Sequence, residues 1–122
     1  MMATATHPFT VRRDGAVAVI AATALADFSV ATQLERTARE LLDDGIRGLV
    51  VDVNRAHSID SAVIGVCLYL QPILERRGGG IALVAAGHAV AQAMSSVRLG
   101  EFLTVHDDVA DAVSAVRRDC AA

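Results

Sequence analysis

The sequence contains no lysine and no tryptophan, so eleven arginines carry all of the positive charge in a chain of 122 residues with a formal net charge of -3. Without lysine there is no Walker-type phosphate ligand, no Schiff-base nucleophile and no kinase-type lysine. Aromatic side chains are scarce, with three Phe and one Tyr. A mildly acidic chain with so few rings lacks the basic face and stacking platforms of a general nucleic-acid binder, so no direct nucleic-acid partner is expected. Apolar runs stop well short of the roughly 18–20 residues of a membrane span. Residues 1–8 show no basic stretch leading into an apolar core, so no secretory signal is read and no membrane insertion is expected. Two cysteines, Cys67 and Cys120, make no disulfide framework. Cys67 sits in an apolar run and reads as a buried thiol, while Cys120 falls in the C-terminal tail. A reducing, cytoplasmic setting suits both.

What is abundant is small and branched: 16 Val and 23 Ala. That composition points to thin helices packed on a Val-rich sheet, and the length to a single domain. Residues 1–8 read as a flexible N-terminus, 9–118 as the domain and 119–122 as a tail. Phe9 to Arg13 alternates as an exposed strand does. Asp14-Gly15 is a hairpin signal, with Ala16–Ile20 as the return strand. Asp27 and Ser29 are both acceptable caps for a helix whose apolar face is Val30, Leu34, Ala38, Leu41 and Leu42, closed by Asp44-Gly45. Gly48-Leu-Val-Val-Asp-Val53 is a Val-rich run that reads as a strand covered on both faces. Residues 54–60 form a loop. Ser61–Arg77 reads as a helix in which Pro72 is expected to cause a kink or end the regular hydrogen bonding. Gly78-Gly79-Gly80 stops it, and Ile81–Ala85 is another buried strand. A short helix over 88–99, a strand over 102–106 and a last helix capped by Asp107-Asp108 follow, with Val109, Ala112, Val113 and Val116 on its inner face. The expected class is α/β, a mixed sheet of about five strands with about four helices in the order ββαβαβαβα, becoming parallel after the hairpin.

Catalytic chemistry finds little to stand on. His7, His57, His88 and His106 are scattered without metal-site spacing and read as surface or capping residues, so neither a metal nor a cofactor is expected. There is no nucleophile elbow. The glycine triplet precedes a strand rather than a helix and is a turn, not a phosphate cradle. One segment differs. Val50 to Gly65 runs from a buried strand through a loop into a helix opening at Asp60-Ser61. Either residue is an ordinary cap. A phosphoserine there would also be stabilised by the first-turn N–H groups and the helix dipole, while changing the surface shown to a partner.

The stretch LVVDVNRAHSIDSAVIGVCLYL resembles the centre of the STAS domain of sulphate transporters and bacterial anti-sigma factor antagonists, where an apolar strand ending in Asp leads through a loop to I-D-S-S/T-G-L-G at a helix start. ERRGGGIALVAAGHAVAQAMSSVRLGEFLTVHDDVADAV resembles the family's second half, and ALADFSVATQLERTARELL its first helix. The resemblance spans about residues 9–118. It implies that Ser61 is the serine offered to a partner kinase, that Asp60 is the motif's Asp, Asp52 the strand-ending Asp, and Asp27 the Asp before the first helix. By the same resemblance the unmodified chain binds an anti-sigma factor that is a serine kinase, phosphorylation at Ser61 releases it, and a serine phosphatase restores it. Sigma-factor-dependent transcription would be regulated in this way by a bacterial phosphoprotein with no catalysis of its own. The implied partner surface comprises Asp27, Ser29, Asn54, His57, Ser58, Asp60, Ser61, Ala62, Val63 and Ile64. The chain departs from the pattern where S/T-G becomes Ala62-Val63, since Val lacks the close approach that Gly allows, while Gly65 is retained. That departure motivates the alternative of a non-switching STAS scaffold subunit in a transporter or signalling assembly.

Overall fold

Strands made of unbroken β-branched runs must be covered on both faces, and this chain covers them with helices on either side. The computed structural model describes residues 9–22, 30–54, 61–85 and 103–121, apart from the side chains of Val30 and Ser61. The elements are β1 (Phe9–Asp14), β2 (Val17–Ala22), α1 (Val30–Asp43), β3 (Gly48–Asp52), α2 (Ser61–Arg76), β4 (Gly80–Val84), β5 (Thr104–His106) and α3 (Val109–Ala121). The helix expected over 88–99 and the caps Asp27 and Ser29 lie outside the described residues.

The strands form one five-stranded sheet in the order β1-β2-β3-β4-β5. β1 pairs antiparallel with β2, and every later pairing is parallel. Because the β2–β3 and β3–β4 crossovers step across the sheet in one direction, α1 and α2 fall on one face. The period of two then sorts side chains between two cores. Ala18, Ile20, Leu49, Val51, Ile81 and Leu83 face α1 and α2, where they meet Leu34, Ala38, Leu41, Cys67, Leu70 and Leu74. Val17, Val19, Val50, Ala82 and Val84 face α3, where they meet Ala112, Val113, Val116 and Cys120.

α1 and α2 end alike. Ile46 N–H donates to the Leu41 carbonyl and Gly45 N–H to that of Leu42, with Gly45 at φ 95°. Gly79 N–H donates to Leu74 and Gly78 N–H to Glu75, with Gly78 at φ 81°. Both are Schellman motifs, which satisfy carbonyls the helix leaves over. The glycine triplet is thus a helix stop leading into β4, as its position before a strand implied. At Gly79 a Cβ would lie 1.7 Å from the Arg47 carbonyl oxygen, so backbone approaches backbone there. At the start of α3 the Asp108 carboxylate accepts the Asp111 N–H at 2.8 Å, the cap expected of this residue.

Several expectations are corrected. The return strand begins at Val17, because Gly15 and Ala16 are both used by the turn between Asp14 and its partner Val17. α2 stops at Arg76 instead of Arg77, and Pro72, on its exposed side, does not end it. Cys120 is not in a free tail: α3 runs through it, and its thiol is buried beside Gly48. His106 is half-buried at the end of β5 with its Nε2 buried and unpartnered, not a surface or capping residue.

Candidate functional site

The parallel strands β2, β3, β4 and β5 all end at one edge of the sheet, and α2 begins there. Carboxyl edges of such sheets are where α/β folds place their sites. β3 leaves the sheet in an ordered way. Val53 is buried, and its N–H still reaches the Val84 carbonyl at 3.0 Å. The Asp52 carboxylate then accepts the Asn54 N–H at 3.0 Å. This Asx turn lets a short side chain replace a lost ladder bond and turns the exposed Asn54 away from the sheet. Asp52 is therefore the residue that shapes the exit from the strand. His57, Ser58 and Asp60 lie outside the described residues, as do Asp27 and Ser29.

Ser61 is the first residue of α2, and no acidic residue stands in that first turn. The first turn of a helix carries the positive end of the helix dipole, which favours an anion added there. Ala62 is half-buried, whereas Val63 and Ile64 are 6% and 8% exposed. The two apolar residues that follow therefore point into the core with Cys67, Leu70 and Leu74. Burial pushes the Cys67 thiol up to about 12, which leaves it protonated and unreactive near neutrality.

The other side of α2 holds what sequence reasoning passed over. Tyr69, the single tyrosine, is 48% exposed. Arg39 of α1 donates to its hydroxyl and lies over its ring, 5.4 Å from the centroid, while also donating to Glu35 at 3.2 Å. The two partners are 30 positions apart in the chain, so spacing carries no sign of the contact.

At the opposite, amino edge, a hollow of about 350 Å³ lies over the glycine triplet. Its rim includes Glu75 and Asp119, and these carboxylates repel a phosphate. Among the described residues no group of three His, Cys, Asp or Glu side chains is placed to hold a metal, and no helix is long and apolar enough to cross a membrane.

The sequence profile of the STAS domain matches residues 8–112. The chain belongs to the STAS domain family. The STAS fold is also found in solved structures of modest identity. The protein TM1081 of Thermotoga maritima superposes with a TM-score of 0.77 at 23% identity, over 92% of this chain and 90% of that one. An anti-sigma factor antagonist from Mycobacterium paratuberculosis gives 0.71 at 21%, over 89% and 92%. The anti-sigma factor antagonist SpoIIAA in its unphosphorylated form gives 0.75 at 18%, over 90% and 96%. At these identities the likeness is one of fold. No curated protein shows a significant sequence match to the chain.

Proposed function

We propose that this STAS domain is an anti-sigma factor antagonist that binds an anti-sigma factor serine kinase while Ser61 is unmodified and is released when that kinase phosphorylates Ser61. The observation that carries the reading is the place of Ser61, the first residue of α2 at the carboxyl edge of the sheet, with no acid in the turn. A phosphate adds about -1.5 to -2 charges there, and the helix N-terminus accommodates them. The fold tolerates the modification, and the altered surface is what the partner meets. Asp27, Ser29, Asn54, His57, Ser58, Asp60 and Ala62 complete the proposed contact surface. Val63 and Ile64 support it from within the core. The chain supplies no catalysis in this scheme. The kinase and a serine phosphatase do the chemistry, and the setting is the bacterial cytoplasm.

The scaffold alternative rests on Ala62-Val63. The burial of Val63 supports the antagonist reading, because the bulk it adds in place of the family's Gly goes into the core. Incubation of the full chain with the anti-sigma factor kinase and ATP is expected to add one phosphate, mapped to Ser61 by mass spectrometry. Ser61→Asp is expected to keep its circular dichroism spectrum and lose binding. An unmodified Ser61 together with wild-type binding by Ser61→Asp would overturn the reading in favour of a scaffold.

A further inference from the structure

A glycine in the second turn of a helix is among the least favourable residues for that position, and α2 carries one at Gly65. The other glycines near helix ends and strand starts have visible reasons. A Cβ on Gly48 would lie 2.4 Å from Val116 Cγ1, and one on Gly80 would lie 2.6 Å from the Asp119 carboxylate. Gly65 has no such reason. It is exposed, its φ is not left-handed, and a Cβ built on it would meet no described atom within 4 Å. Nothing in the described chain requires the missing side chain.

Gly65 stands four residues after Ser61 and four before Tyr69, so the three positions follow one line along α2. At the helical rise, Gly65 lies about 6 Å and Tyr69 about 12 Å from Ser61. The half-buried Ala62 and Val66 form an apolar border to this line. Tyr69 is held in advance by the Arg39 hydrogen bond and by the guanidinium over its ring, with Glu35 bracing Arg39 from behind. An exposed aromatic ring already fixed in place loses little freedom on binding, and tyrosine is enriched among residues that dominate interfaces. A stable protein interface covers about 800 Å² on each partner. A partner centred on Ser61 with that footprint reaches both residues.

We infer that the anti-sigma factor engaging Ser61 also docks along α2, seating an apolar side chain or main-chain segment in the notch at Gly65 against the Tyr69 ring. The inference rests on the antagonist reading and names the second half of its contact surface. In it, Gly65 sets how close the partner comes and Tyr69 is the anchor beside it.

The test is calorimetric titration of purified anti-sigma factor serine kinases of the source organism into the full unphosphorylated chain and its variants, with thermal melts alongside. Gly65→Ala is expected to raise the melting midpoint by about 4 °C and to weaken binding about tenfold. Gly65→Leu is expected to weaken it roughly a hundredfold with the fold retained. Tyr69→Ala is expected to lose about tenfold or more, and Glu75→Ala, at the far end of α2, to bind as wild type. Wild-type affinity in folded Gly65→Leu and Tyr69→Ala would overturn the inference while leaving the antagonist reading standing, provided Ser61→Asp still abolishes binding. Failure of the wild-type chain to bind any of the kinases would remove both.

Discussion

At Cys67 the surroundings leave no room for a thiolate. Because burial holds its proton to about 12 against an ordinary value of 9.0, the folded chain binds that proton where the unfolded chain has lost it. The resulting stabilisation is complete below about pH 9 and is lost as pH rises from there towards 12. Urea midpoints measured at pH 8 and roughly pH 10.5 should therefore fall more steeply for wild type than for Cys67→Ala. Two glycines separate two different backbone demands. Gly45→Ala places a Cβ in the left-handed region but in open space, and is expected to cost about 1 kcal/mol. Gly79→Ala drives a Cβ into the Arg47 carbonyl and is expected to cost about 3 kcal/mol or more. Denaturant titrations of the two variants would reveal the difference, and equal losses would show that the turn relaxes around Gly79.

Among the elements, α3 has both its cap and its buried face described. Its cap is one carboxylate, so Asp108→Ala is expected to lower stability by about 1 kcal/mol, read from the shift in denaturant midpoint. Val116 is fully buried against the second face, and Val116→Ala is expected to cost more than the cap does, about 2 kcal/mol. The inner face of this helix was legible up to Val116 because its apolar residues recur at three- and four-residue intervals. Cys120 keeps that interval, but the charges of Arg117, Arg118 and Asp119 made the segment look like a free tail. The strands β2, β3 and β4 were legible as buried runs, and they missed their bounds by one or two residues, since a turn or a bulge-free ladder end has no signature of its own. Pro72 does not end α2: proline removes one N–H from the helix, but its ring sits on the exposed side and the helix runs on to Arg76, close to the expected Arg77. The Asp60-Ser61 motif marked where α2 starts. The Arg39–Tyr69 contact on the same helix was invisible, because it joins two elements brought together only by the crossover.

At the scale of the whole molecule, the described core is held by apolar packing. No polar or charged residue among those described is buried. The ion pairs Arg13–Asp44 and Arg117–Asp14 have both partners more than half exposed, so each contributes only about 0–1 kcal/mol. Melting in 1 M sodium chloride is expected to stay within a few degrees of the low-salt value, and a larger drop would show that ion pairs carry more of the stability than this. One backbone detail bears on all of this. The Ala16 carbonyl accepts the N–H groups of Arg47 and Gly48, and the Arg47 carbonyl accepts that of Gly80. Val17, Gly48 and Gly80 consequently stand level as the first rungs of three strands. The amino edge works as a ruler's zero, from which β2, β3 and β4 are all measured. An inserted residue at that edge would slip a strand and turn its core side chains to the wrong face. The register of three strands is thus carried by three backbone hydrogen bonds at one end of the sheet, a length standard built without a single side chain.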